Sequence, residues 1–111
     1  MEFLEGQGFS CSDTSSSESF DILAIKGNQK IKVEVKGTTS DLCDSILMTK
    51  NEVELHRKEK GMTGLLICSR IQLSRAGVNS VASGGVIENL LNWDIDQWIA
   101  DPVAFQIKRA N

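Results

Sequence analysis

The sequence predicts an α/β fold in which a mixed β-sheet is flanked by helices. Three observations carry this prediction. Ile31 to Lys36 alternates strictly between apolar and charged residues, which is the period of a half-buried strand. Thr49-Lys50-Asn51-Glu52 matches a helix-opening capping box. Gly64 to Leu73, GLLICSRIQL, holds four consecutive apolar residues before it alternates, which suits an interior strand covered on both faces.

The remaining elements follow in chain order. Met1 to Gly8, MEFLEGQG, reads as the last turns of a short helix with a glycine stop. Ser10 to Ser19, SCSDTSSSES, is too polar to pack and is expected as a flexible loop. Phe20 to Lys26 gives a strand, Gly27-Asn28 a tight turn, and Ile31 to Lys36 the second arm of an antiparallel hairpin. Ile31, Val33 and Val35 should share one face, with Lys32, Glu34 and Lys36 on the other.

After a polar loop over Gly37 to Asp44, Ser45 to Met48 is expected as a short third strand. The helix opened by Thr49 should run to about Lys60 and stop at Gly61, with Lys58 and Lys60 favoured by the helix dipole. Arg75 to Gly85, rich in Gly, Ser and Asn, is expected as a mobile excursion. A short helix carrying Ile95, Trp98 and Ile99 should end at Asp101-Pro102, and Val103 to Ile107 should form a closing strand. The order is α-β-β-β-α-β-(α)-β.

A chain of 111 residues at 41% hydrophobic can bury one modest core, so residues 1–111 are expected to form a single domain. No apolar run approaches the roughly 18 to 20 residues needed to span a bilayer, and no secretory signal opens the chain. A soluble, cytoplasmic protein with no membrane partner is the expectation. The net charge of −3 gives no global attraction for nucleic acid, so DNA binding needs a local basic patch or a metal ion. Cys11, Cys43 and Cys68 lie 32 and 25 residues apart, without a C-x-x-C knuckle, and read as free thiols.

Chemistry concentrates at KVEVKGTT, residues 32–39. Glu34 and Lys36 fall on one strand face, roughly 7 Å apart, and the hairpin brings Asp21 beside them. Two carboxylates that hold hard Mg²⁺ through oxygen, with an ammonium group to stabilise charge on phosphate, are what metal-assisted phosphodiester hydrolysis requires. A solvated strand face explains an E-x-K equally well when it stands alone.

The combination is more specific. Asp21 through Lys36, read as D-x(12)-E-V-K, resembles the signature of the PD-(D/E)XK, or restriction endonuclease-like, nucleases, with Phe20 in place of the usual proline. SFDILAIKG, KVEVKGTT and ILMTKNEVELHRK together resemble the protein NO VEIN C-terminal-like domain, from about Gly6 to Leu73. The resemblance implies a restriction endonuclease-like mixed sheet. It implies that Asp21, Glu34 and the Val35 carbonyl bind Mg²⁺ or Mn²⁺, and that Lys36 is the catalytic base or transition-state stabiliser. It also suggests DNA as substrate, a homodimer, and a further acid from the first helix, for which Glu2 and Glu5 are the candidates. The alternative is a catalytically silent module on the same fold that binds nucleic acid or protein.

The surrounding residues have local explanations. Glu52 is accounted for by its cap and Thr38 and Thr39 by a turn after Gly37. His56 is expected on the surface, on a helix whose Lys50, Arg57, Lys58 and Lys60 either touch a phosphate backbone or form a solvated face. Trp93 and Trp98 are expected in core or dimer packing.

Overall fold

A computed structural model describes residues 1–41, 43–76 and 79–110. The elements are α1 (Glu2–Gly6), β1 (Ser10–Asp13), β2 (Ile22–Lys26), β3 (Gln29–Gly37), α2 (Lys50–Lys58), β4 (Thr63–Ser69), β5 (Gln72–Ala76), β6 (Asn79–Ser83) and β7 (Val86–Leu90), followed by one 3₁₀ turn at Ile95–Gln97. Five strands form one sheet in the order β1-β2-β3-β4-β7, and β5 pairs with β6 as a separate ribbon. Only β3 and β4 are parallel; the other neighbours run antiparallel. This is a mixed-sheet α/β fold.

The sequence dictates the centre of this sheet directly. Lys26 pairs with Gln29, so Gly27-Asn28 is a two-residue turn, and Gly27 takes the left-handed conformation it needs at φ +60°. Thr49 and Glu52 close the expected capping box at the start of α2, and Gly61 turns the chain at φ +84°. Helix α2 ends at Lys58, one half-turn before the expected Lys60. It carries the chain back so that β4 can lie parallel to β3, as a parallel pair demands a crossover.

Both faces of the sheet are packed. On one, Leu4 of α1 and Phe9 join Ile22, Ala24, Ile31, Val33 and Leu66. On the other, Leu65 and Ile67 of β4 meet Trp93 and Ile95, with Val53 of α2 and Ile46 and Met48 of the preceding segment packed against them. A five-residue helix has no stability of its own, and the complete burial of Leu4 holds α1 in place.

Several expectations are corrected. Ser10–Asp13 is an edge strand and not a loop: Cys11 pairs with Ala24 and packs on the core while its polar neighbours face away. Ser45–Met48 is not a strand: Ile46 and Met48 pack onto the face of the sheet, against the cluster of Leu65 and Ile67, without joining its ladder. Of the excursion expected over Arg75–Gly85, residues 77 and 78 lie outside the described residues, and both flanks are strands of a hairpin. Val86–Leu90 is a further strand, antiparallel to β4, that closes the sheet. The helix expected near Ile95 is a single 3₁₀ turn capped by Asp94, whose side chain accepts from the Asp96 amide. Val103, Phe105 and Ile107 form no strand and stand exposed.

Candidate active site

Strand β2 begins at Ile22, opposite Val33, whereas β3 continues to Gly37. Beyond Val33 one edge of β3 therefore lacks a backbone partner, and Asp21 takes its place. The Asp21 N–H donates to the Val33 carbonyl at 3.0 Å, and Asp21 Oδ2 accepts the Val35 N–H at 2.9 Å. In a strand the N–H and C=O of one residue point to the same edge, so the Val35 carbonyl faces this same opening beside Asp21. The Val35 side chain is 39% exposed and not packed as expected, because the strand that would flank it has ended.

Glu34 and Lys36 share the opposite face, the one covered by α2. Glu34 is not on a solvated face: it is only 4% exposed. Lys36 Nζ lies 3.4 Å from Glu34 Oε1 and 3.4 Å from Glu52 Oε2. Glu52 thus serves twice, since its other oxygen, Oε1, accepts the Thr49 N–H at 3.0 Å in the capping box. Its role as a cap is confirmed, but the reading of it as a cap alone is corrected. Spacing was the missed signal: the first turn of the crossover helix lies over the strand that precedes it.

The electrostatics follow from this crowding. Burial, then hydrogen bonding to Asp21 and Glu52 and the charges of both, push the Glu34 carboxyl up to about 8. Burial would also raise Glu52, but the Thr49 amide, the hydrogen bond with Glu34 and the nearby Lys36 together hold it below the usual carboxylate range. The crowding of Glu34 with Asp21 and Glu52 around one lysine thus favours a proton on Glu34. Glu34 Oε2 is buried without a hydrogen-bond partner. A cleft of about 500 Å³ opens beside Lys36, lined by Gly37, Thr38, Cys43 and Ile46 among others.

The donor set fits a hard divalent cation. It offers carboxylate oxygens and one free carbonyl edge, and an unpartnered buried carboxylate oxygen is an acceptor waiting for positive charge. Among the described residues no group of three or more His, Cys, Asp or Glu side chains is placed to hold a metal ion, so a cation here would rest on two carboxylates, a carbonyl and water. Mg²⁺ suits such a set, because it keeps several waters and binds through one or two carboxylates.

The structure brings Asp21, Glu34, Val35 and Lys36 together, and leaves Glu2 and Glu5 out. Helix α1 packs on the sheet face opposite Glu34, with both glutamates exposed. His56 is corrected from surface to core: it is 1% exposed, and its Nδ1 accepts the Trp93 indole N–H at 3.0 Å. Thr38 holds the turn after Gly37, its hydroxyl accepting the Ser40 N–H at 3.2 Å. Trp93 is core, and Trp98 packs edge-on against it while 38% exposed. Cys11, Cys43 and Cys68 are free thiols.

Fold and site define a mixed-sheet α/β protein with a carboxylate–lysine cluster where the two central strands of a hairpin part. The chain belongs to the family described as Protein NO VEIN, C-terminal, which it matches over residues 1–63. That match includes all the clustered residues, Glu52 and His56 among them, and stops at the first residue of β4, short of the Leu73 expected from the resemblance. No curated protein matches the chain. Among the described residues no helix is long and apolar enough to cross a membrane.

Proposed function

We propose that the chain is a Mg²⁺- or Mn²⁺-dependent nuclease domain of restriction endonuclease-like fold, acting on DNA phosphodiesters through Asp21, Glu34 and Lys36. The observation that carries this reading is the convergence of Asp21, Glu34 and the free Val35 carbonyl edge at one break in the sheet, with Lys36 alongside. Asp21, Glu34 and the Val35 carbonyl would hold the metal, which when bound supplies positive charge to a phosphoryl oxygen and acidifies water.

The chain's own residues do the rest. Asp21 is oriented by the Val35 amide, so its second oxygen is left for the cation. The Lys36 ammonium makes contacts of 3.4 Å, longer than the 2.7 to 2.9 Å typical of charge-assisted bonds, so it is free to re-aim at a developing phosphorane charge or at the attacking water. Glu52 restrains the lysine between substrate encounters. A cytoplasmic setting, in which thiols stay reduced, suits the three free cysteines.

The test is purified protein with Mg²⁺ or Mn²⁺ on plasmid, branched and single-stranded DNA. The wild type nicks or cuts, and Glu34→Ala and Lys36→Ala abolish cleavage; full activity in both variants overturns the assignment.

A second reading, a catalytically silent module that binds nucleic acid or protein, is favoured by one observation. Three of the four basic residues of α2 and its exit are paired within the chain, Lys50 with Glu54, Arg57 with Asp96, and Lys60 with Asp94 and Asp96, which leaves Lys58. That leaves little positive surface for a duplex. No binding of Mn²⁺ at millimolar concentration by calorimetry selects this module. A homodimer would extend the gripping surface, and the mass in light scattering decides it.

A further inference from the structure

The buried polar groups around α2 contain two atoms without a hydrogen-bond partner, Glu34 Oε2 and His56 Nε2. The second is a donor by elimination. Indole N–H can only donate, so His56 Nδ1, which receives it, carries no proton, and the ring proton sits on Nε2. An imidazolium would set two N–H groups against each other at 3.0 Å. Trp93 therefore fixes both the tautomer and the ring orientation, with an edge-to-face contact at 5.4 Å between centroids. An N–H donor left unmade in a ring that is 1% exposed carries the full desolvation cost of a buried donor, which argues for an acceptor.

Its surroundings name that acceptor. His56 lies four residues after Glu52, on the same helix face. Glu52 and Lys36 are the charged groups that act on the ring, and both also contact Glu34. The acceptor short of a donor in that same cluster is Glu34 Oε2. Buried waters occur at about one per 27 residues and satisfy pairs of this kind.

We propose that His56 is a positioning residue for Glu34: its Nε2–H, locked by Trp93, donates through one buried water to Glu34 Oε2 and so sets which carboxylate oxygen faces the opening beside Asp21. The family match ends at β4, so Trp93 locks His56 from a part of the chain outside it. The consequence for a metal rests on the function proposed above, but the hydrogen bond itself does not.

His56 is the only histidine, so ¹⁵N-histidine labelling of the whole protein gives a single imidazole. The expected spectrum shows one tautomer, protonated at Nε2, with a slowly exchanging ring proton whose resonance moves in Glu34→Gln and stays put in the exposed Glu54→Gln. An Nδ1-protonated or averaged ring, or a ring unaffected by Glu34→Gln, overturns the proposal. In parallel, His56→Phe keeps the shape and removes the donor. If the wild type binds Mn²⁺, affinity falls about tenfold in His56→Phe and recovers in part in His56→Gln, and unchanged affinity in His56→Phe overturns the positioning role. Failure of the wild type to bind Mn²⁺ counts against the nuclease reading alone, since the NMR result stands without metal.

Discussion

Asp21 stands in for a missing strand beside Val35: its carboxylate Oδ2 takes the Val35 amide at 2.9 Å just past the point where β2 starts. One side chain thus does two things, ending the ladder and aiming a carboxylate at the neighbouring carbonyl. The two separate by substitution. Asp21→Asn retains an acceptor and should melt within about 0.5 kcal/mol of wild type, whereas Asp21→Ala should lose about 1 kcal/mol, the net worth of one hydrogen bond. Both should lose Mn²⁺ binding in calorimetry. Binding retained by Asp21→Asn would remove Asp21 from the metal site.

Stability should fall as pH rises through the site's own window. The Glu34 carboxyl ionises near its ordinary value when unfolded and only at about 8 when folded. Between about 4.5 and 8 the folded state holds one proton more, so unfolding free energy declines with pH there and levels off above it. At about 1.4 kcal/mol per pH unit the loss amounts to a few kcal/mol. Urea titrations of wild type and Glu34→Gln, followed by the emission of buried Trp93, check this: the decline should vanish in the variant, leaving the opposite, rising slope that His56, held below its ordinary value by burial, contributes at acidic pH. Mg²⁺ should stabilise the wild type more at pH 8 than at pH 6, because protons compete for the same oxygen.

The capping box and the site are one device. Thr49→Ala removes the hydroxyl that accepts the Glu52 amide at 3.2 Å and should cost about 1 kcal/mol, while Thr49→Ser should cost a few tenths. Losing the cap also loosens Glu52, the restraint on Lys36. Thermal melts give the first effect. A rise in the rate at which Lys36 is acetylated by a small anhydride gives the second.

What the sequence disclosed about this cluster tracks the range of the forces involved. The hairpin, the TKNE cap and the Glu34–Lys36 pair are set by interactions a few residues apart, and all three stand where the sequence puts them. The sequence points His56 to the surface because its partner Trp93 is 37 residues away, and no local pattern distinguishes a buried, hydrogen-bonded histidine from an exposed one. Val35 alternates correctly, yet lies open because β2 stops short, which is a fact about its neighbour. SCSD looked like loop because an edge strand with a single inward residue, Cys11, carries half a period of signal. SILM reads as strand because its apolar residues pack, but they pack onto the face of the sheet and not into its ladder.

A tight backbone constraint lies behind the site, where β4 passes the segment after β7. A Cβ placed on Gly64 would fall 2.9 Å from both the Cα and the carbonyl oxygen of Leu91, and both are backbone, so neither can swing away. Gly64 pairs with Val33, the residue before Glu34, so any retreat of β4 is felt at the carboxylates. Gly64→Ala should therefore destabilise by about 1 to 3 kcal/mol, the usual cost of overpacking, and should weaken Mn²⁺ binding without touching a ligand. Gly6→Ala is the control, since nothing lies within 4 Å of its Cβ position and alanine favours helix; it should leave the protein unchanged or slightly more stable. Chemical denaturation of the two variants side by side decides the matter: equal midpoints would mean that Leu91 can yield.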